Sequence, residues 1–341
     1  MINTVEIVSL SSGIIGEQFA NHELKIGVKR LESMGLHVKF SKNALKGVEY
    51  IKNHPEDRAS DLLDAYADPD VDMILCAIGG DDTYRLLPYL FENDELKKVV
   101  NDKIFLGFSD TTMNHFMLQK LGIKTFYGQS FLADICELEN EMLPYSKRYF
   151  EELITTGTIK KIGPSDIWYE ERTAFDESQI GVSRISHKND GFKLLQGPSV
   201  FSGKILGGCI ESIYDIFNND RYEDSVELCD RYSLFPALED WKGRILLLES
   251  SEEQPTPEMY EKMLIALKDY GLFNAVSGVL VGKPMDEKYA EEYEKILVSI
   301  IDNPALPVLC NINIGHATPR CIIPFGVSAY VDVDKQVIRF E

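Results

Sequence analysis

Short apolar runs that stop at a glycine or a polar residue, each followed by an amphipathic stretch, recur along this chain and limit what it can fold into. Residues 5–10 run into Ser11-Ser12-Gly13, and 17–34 then carry helical spacing up to Gly35. Residues 37–40 read as a second strand, 47–66 as a helix, and 71–78 as a third strand closed by Gly79-Gly80-Asp81-Asp82. A helix over 83–90 precedes the run 103–107, which hands over through Phe108-Ser109-Asp110 to another helical stretch. Strands alternating with helices at this spacing predict parallel strands with helices on both faces.

The alternation loosens after Phe126-Tyr127-Gly128. Residues 137–156 look helical and acidic, and 158–197 are polar and irregular, as in a linker or a lid over a site. The pattern then resumes, with a strand over 203–209 entering a glycine turn and a helix over 210–217. A strand over 244–248 ends at Glu249, a helix over 257–270 stops at Gly271, and a strand over 307–314 ends at Gly315-His316. Between the last two lie a strand over 275–281 and a helix over 285–301, and residues 326–340 alternate as a hairpin would. The expectation is an α/β protein in two parts. An N-terminal parallel-sheet domain spans 1–165, a linker or lid 166–200, and a smaller C-terminal α/β domain 201–341, a division that suits 341 residues.

A formal charge of −20 argues against nucleic acid or an anionic membrane surface as the partner, because both would be repelled. The six cysteines are scattered, without a CxxC pair or a His/Cys cluster, so neither a zinc site nor a disulfide framework is expected and a reducing cytoplasm fits. The first residues lack a basic flank and their apolar run is broken by Glu6 and several serines, unlike a signal peptide. No run is long enough to cross a bilayer.

Three apolar runs end at a residue that could do chemistry: Ser109, Glu249 and His316. Open parallel sheets bind ligands beyond the carboxyl ends of their strands. Serine, histidine and an acid are also the three parts of a hydrolytic triad, in which the base takes the serine proton and the acid fixes the imidazole tautomer. Each has a plain structural alternative: Ser109 as a helix cap, Glu249 as an exposed strand end, His316 as loop filling. Two glycine turns, Gly79-Gly80-Asp81 and Gly207-Gly208, could turn backbone N–H groups toward an oxyanion, and the N–H of Asp110 directly follows the serine.

A competing reading uses the first of those turns. Ile78-Gly79-Gly80-Asp81-Asp82 resembles the GGDG turn of phosphofructokinase-like and NAD-kinase-like phosphotransferases, in which an acid helps catalysis or holds magnesium. Asp82 stands where that turn has its last glycine, and its charge would repel phosphate.

Taken together, these residues resemble the LD-carboxypeptidase and microcin C immunity peptidase family. The likeness runs through Ser11-Ser12-Gly13, Gly79-Gly80-Asp81-Asp82, Gly107-Phe108-Ser109-Asp110, Tyr127-Gly128, Gly207-Gly208, Leu248-Glu249, Val281-Gly282-Lys283 and Gly315-His316-Ala317-Thr318-Pro319. It implies a serine peptidase with Ser109 as nucleophile, His316 as base and Glu249 as its partner, and oxyanion donors from the backbone around Gly80 and from Asp110. It implies an N-terminal domain similar to class I glutamine amidotransferases, no metal or cofactor, and a homodimer. One branch of the family trims D-alanine from muropeptides. The other, which this chain looks more like, cleaves peptidyl- or aminoacyl-nucleotides and stacks the base on an aromatic of its lid, for which Trp168 is the candidate. A catalytically silent relative that binds such a ligand without turnover is a third possibility.

Overall fold

The computed structural model describes residues 2–341. The first five strands are β1 (Thr4–Val8), β2 (His37–Phe40), β3 (Met73–Cys76), β4 (Ile104–Gly107) and β5 (Thr125–Tyr127). All are parallel, in the spatial order β5-β4-β3-β1-β2. Every residue of β3 and β4 is buried, as it must be for central strands covered by helices on both faces. The helix expected over 47–66 is divided into Val48–Asn53 and Pro55–Ala67, because Pro55 cannot continue the first helix but suits the start of the second.

The stretch 158–197 is less irregular than its composition suggests. It holds β6 (Lys161–Ile162), β7 (Ile167–Tyr169), β8 (Ser186–Lys188) and β9 (Lys193–Gln196). β7 and β8 form a separate hairpin, whereas β6 and β9 become the two edges of the second sheet. Acidic residues 137–143 are not helical; the helix begins at Pro144 and runs to Thr156.

The second sheet is built on β10 (Val200–Cys209), β11 (Ile245–Glu249), β12 (Gly278–Gly282) and β13 (Val308–Ile312), which are parallel to one another. The helix Pro257–Tyr270 that links β11 to β12 is bounded by its own sequence. Thr256 caps the N–H of Met259, Pro257 occupies the first turn, and Gly271 closes the helix in the left-handed conformation. The last strands are β14 (Ile323–Phe325), β15 (Ser328–Asp332) and β16 (Val337–Phe340). β15 and β16 form the expected hairpin and complete an eight-stranded sheet in the order β6-β16-β15-β10-β11-β12-β13-β9. β14 returns to the first sheet and pairs antiparallel with β5, making six strands there. Residues 201–341 therefore serve both sheets. This crossing back follows directly after the His316 loop and brings that loop to the carboxyl ends of β4 and β5. Among the described residues no helix is long and apolar enough to cross a membrane.

Candidate active site

β4 stops at Gly107, Phe108 is extended, and Ser109 takes a left-handed backbone at φ 65°. Such a conformation is costly for a residue with a side chain and persists where surrounding structure imposes it. Here the imposition is visible. Thr111 Oγ1 donates to the Phe108 carbonyl at 2.7 Å, and the Ser109 N–H donates to the Tyr127 hydroxyl at 3.2 Å. The following helix, Thr112–Lys120, starts immediately. A serine at a sharp strand-to-helix turn has its hydroxyl lifted over the sheet end.

The turn is locked from below by Asp110. Its buried carboxylate accepts from Ser11 Oγ at 2.5 Å and from Thr83 Oγ1 and N–H at 2.6 and 3.0 Å, so the turns after β1, β3 and β4 share one anchor. From the side comes Gly79, where a Cβ would lie 2.6 Å from Ser109 Oγ and 3.3 Å from the Asp110 nitrogen. Glycine is required there because the two turns touch. His115, inside the helix, is wholly buried and holds the Gly107 carbonyl through Nε2 at 3.1 Å and Thr125 Oγ1 through Nδ1 at 2.8 Å. Burial lowers its pKa to about 3, so it is a neutral structural group.

Glu249 ends β11 with its side chain fully buried. One oxygen accepts from the Tyr127 hydroxyl at 2.6 Å, the other from His316 Nδ1–H at 2.7 Å. Burial and the Glu249 charge together hold Tyr127 well above the usual phenol range, so it donates as a neutral hydroxyl. Gly315, at φ 82°, lies where a Cβ would come within 2.3 Å of Glu249 Oε2. A side chain there would expel the acid from its place beside the imidazole.

His316 Nε2 lies 3.0 Å from Ser109 Oγ. The three residues that end apolar runs in the sequence are thus one hydrogen-bonded chain, drawn from positions more than two hundred residues apart. Phe108 presents its face to Arg320 at 4.9 Å and packs against the His316 ring at 5.1 Å. Arg320 in turn donates to the carbonyls of His316 and Gly315, and pairs with buried Asp134 at 3.1 Å. It fixes the loop that carries the imidazole. Arg320, Asp134 and Tyr127 were not singled out for any such task in the sequence, because their partners lie far away along the chain. Arg320 does follow the Gly315-to-Pro319 motif directly, which was the available signal.

The remaining expected residues are spread around this centre. Gly80 is exposed beside Ser11, and Asp81 is exposed next to the Tyr222 hydroxyl. Asp82 is buried and consumed by ion pairs with Arg58 at 2.5 Å and Arg85 at 3.2 Å. Both the Arg58 and Asp82 side chains are almost wholly out of water, so losing either partner would cost about 3–5 kcal/mol. A carboxylate so engaged is unavailable to magnesium, whereas Asp81, the acid that the phosphotransferase reading uses, is exposed. Trp168, on β7, is 7% exposed; its ring stacks on His187 at 4.4 Å, with Lys283 Nζ 5.2 Å from its centre. The hairpin bearing it is tied to the His316 loop by the Tyr169 N–H donating to the Thr318 carbonyl at 2.9 Å. It is tied to the first half by buried Glu137, which pairs with Arg172 at 2.8 Å and Arg184 at 2.7 Å. Burial alone would raise the Glu137 pKa, but the two guanidinium groups overrule it and lower it. Among the described residues no group of three or more His, Cys, Asp or Glu side chains could hold a metal ion.

These side chains meet where the two α/β units join, and both halves of the chain match one family of peptidases. Residues 5–128 match the LD-carboxypeptidase N-terminal domain and residues 202–331 the LD-carboxypeptidase C-terminal domain, and the chain belongs to that family. It is similar to an MccF-like protein from Streptococcus pneumoniae solved in complex with AMP, with 63% identity, coverage of 100% of this chain and 99% of that one, and a TM-score of 0.99. It is 25% identical to the microcin C7 self-immunity protein MccF of Escherichia coli, over 92% of this chain and 86% of that one. A solved structure of MccF in complex with glutamyl sulfamoyl guanosine shares the fold, with a TM-score of 0.80 at 23% identity, over 99% and 96% of the two chains. The probable murein peptide carboxypeptidase of Bacillus subtilis is 23% identical over 91% of this chain and 84% of its own.

Proposed function

We propose that this protein is a serine peptidase that cleaves aminoacyl- or peptidyl-nucleotides through an acyl-enzyme. The observation that carries the reading is the continuous chain from Ser109 Oγ to His316 Nε2 at 3.0 Å and from His316 Nδ1 to Glu249 at 2.7 Å. Ser109 Oγ attacks the carbonyl joined to the nucleotide and gives its proton to Nε2. The resulting oxyanion is met by backbone N–H groups of the Gly79-Gly80 turn and of Asp110, and Nε2 returns the proton to the leaving nucleotide group. Water then repeats the sequence on the ester, with His316 again as base, releasing the acid and restoring Ser109. Glu249 keeps Nδ1 protonated, so that Nε2 is the basic nitrogen.

The nucleotide is favoured over a muropeptide by the 63% identity to a protein solved with AMP. Trp168 remains our candidate platform for the base, which would take the place of the His187 ring on its face. Asp81 stands at the rim beside Tyr222 and Arg221, where it can contact the bound substrate. Exposed Phe175, Ile180, Val182 and Ile185 on the segment between β7 and β8 supply an apolar surface suited to a homodimer. Six free cysteines, all buried, suit a reducing cytoplasm.

The test offers the purified protein an aminoacyl sulfamoyl adenosine and a muropeptide tetrapeptide side by side. Release of the amino acid from the first, lost in Ser109→Ala, is the expected result. Rapid release of D-alanine from the second alone would move the protein to the muropeptide branch, and undiminished turnover by Ser109→Ala would remove the serine mechanism.

A further inference from the structure

His316 Nε2 has two neighbours, and only Ser109 belongs to the reaction described above. Glu252 Oε2 also lies 3.0 Å from it. Glu252 stands on the turn after β11, and its side chain is 65% exposed where that of Glu249 is fully buried. The turn is anchored on one side by Ser251, whose N–H and Oγ–H donate to buried Glu211 at 2.9 and 2.7 Å. On its other side Gln254 is left-handed at φ 48°.

A neutral imidazole ready to act as base presents the Nε2 lone pair to the serine hydroxyl. A carboxylate 3.0 Å from that nitrogen, even off the line of its hydrogen bond to Ser109, favours the protonated ring through its charge. The ring thus lies between two carboxylates, hydrogen-bonded to Glu249 and in charge contact with Glu252, an arrangement that favours the imidazolium. The other groups around the ring do not compete for it. Arg320 is engaged with carbonyls and Asp134, Glu171 accepts from Thr318 Oγ1 at 3.3 Å, and Phe108, Ser109 and Tyr127 are neutral. Burial opposes the charged ring, but Glu249 and then Glu252 overrule it and raise its pKa to about 10. His316 reciprocally holds Glu252 down to about 2.

We propose that Glu252 receives the α-ammonium group of the substrate's acyl residue, and that in the free enzyme it rests on His316 Nε2 in that group's place. The inference rests on the peptidase reading above and narrows its substrate to acyl groups with a free α-amine. An acyl carbon bonded to Ser109 Oγ carries its α-nitrogen only two bonds away, within reach of a carboxylate that shares the same imidazole nitrogen. A lysine-type ammonium, several bonds farther out, overshoots. When the substrate's ammonium captures Glu252, His316 keeps one anionic neighbour instead of two. Its Nε2 proton passes to solvent, and the freed lone pair turns to Ser109. Substrate selection and activation of the base become one event.

The experiment compares an aminoacyl sulfamoyl adenosine with its desamino analogue, using the wild type and Glu252→Gln. A charge-assisted hydrogen bond of ordinary strength gives the wild type a preference of about tenfold or more in kcat/KM for the free amine. Glu252→Gln should bring that preference close to unity, chiefly by raising KM for the amine. In parallel, the His316 ring is titrated by NMR in the Ser109→Ala background, where removing the Glu252 charge should lower its pKa by about one unit or more. An unchanged preference or an unchanged titration would overturn the proposal. If the wild type hydrolyses neither compound, the peptidase reading fails. The His316 titration and the relative binding of the two compounds to Ser109→Ala, with and without Glu252→Gln, still decide the role of Glu252.

Discussion

Ser109 and His316 face each other across the junction of the two sheets, but the two sides hold their reacting groups by different means. Ser109 is placed by its own backbone conformation and by contacts that are buried throughout. Its left-handed φ, the contact with Gly79 and the Asp110 anchor leave its turn no slack. His316 is placed by side chains: Glu249 from below, Arg320 along its loop, Phe108 against the ring, and Glu252 from the solvent side. Close-packed backbone turns have one arrangement. Charged side chains, one of them largely exposed, can be rearranged by a ligand. In the proposed mechanism, then, the nucleophile Ser109 is built to stay put and the base His316 to respond.

The largest effect should come from removing a member of the proposed triad. His316→Ala should lower kcat by roughly a thousandfold or more, measured by steady-state kinetics, with far-ultraviolet circular dichroism unchanged. A rigid nucleophile side should also be intolerant of small steric changes. Gly79→Ala inserts a methyl group 2.6 Å from Ser109 Oγ and should cost about a hundredfold in kcat/KM, since displacements of this size spoil attack geometry. A loss under threefold would mean that the turn yields, against the account. Tyr127 serves both sides, donating to Glu249 and accepting from the Ser109 N–H. Tyr127→Phe should therefore reduce kcat by about tenfold, the size expected for a group that orients a reacting residue. Here an effect on KM alone would contradict the assignment.

The smallest effect concerns stability. The His316 pKa is raised to about 10, so the folded state binds a proton that a free imidazole, with its ordinary value of 6.5, has already lost. This contribution is complete below pH 6.5 and disappears as pH rises through 10. The melting temperature of the wild type should exceed that of His316→Ala by more at about pH 6 than at about pH 9.5, with the gap narrowing by a few degrees. A gap that widens with pH would reverse the sign and remove the imidazolium.

The same contrast explains what the sequence reveals. Ser109, Glu249 and His316 each end an apolar run, and strand ends are where such sheets gather their chemistry. The helix Pro257–Tyr270 was legible at both ends, because its cap, proline and glycine are local signals. The pairing of Ile162 with Ile338, and of Pro324 with Phe126, could not be read, since two- and three-residue strands carry no period of their own. Arg320 and Asp134 are likewise joined only by the fold. In the sequence Glu252 is one of two adjacent glutamates after Ser250-Ser251, and nothing local distinguishes a carboxylate in water from one turned onto a histidine.

The most direct measurement is to quench the wild type during turnover of an aminoacyl sulfamoyl adenosine and map any covalent adduct by peptide mass spectrometry. The account predicts an added acyl mass on the peptide bearing Ser109, absent from Ser109→Ala and longer-lived when His316 is replaced. An acyl group on another residue, or full turnover by Ser109→Ala, would contradict it.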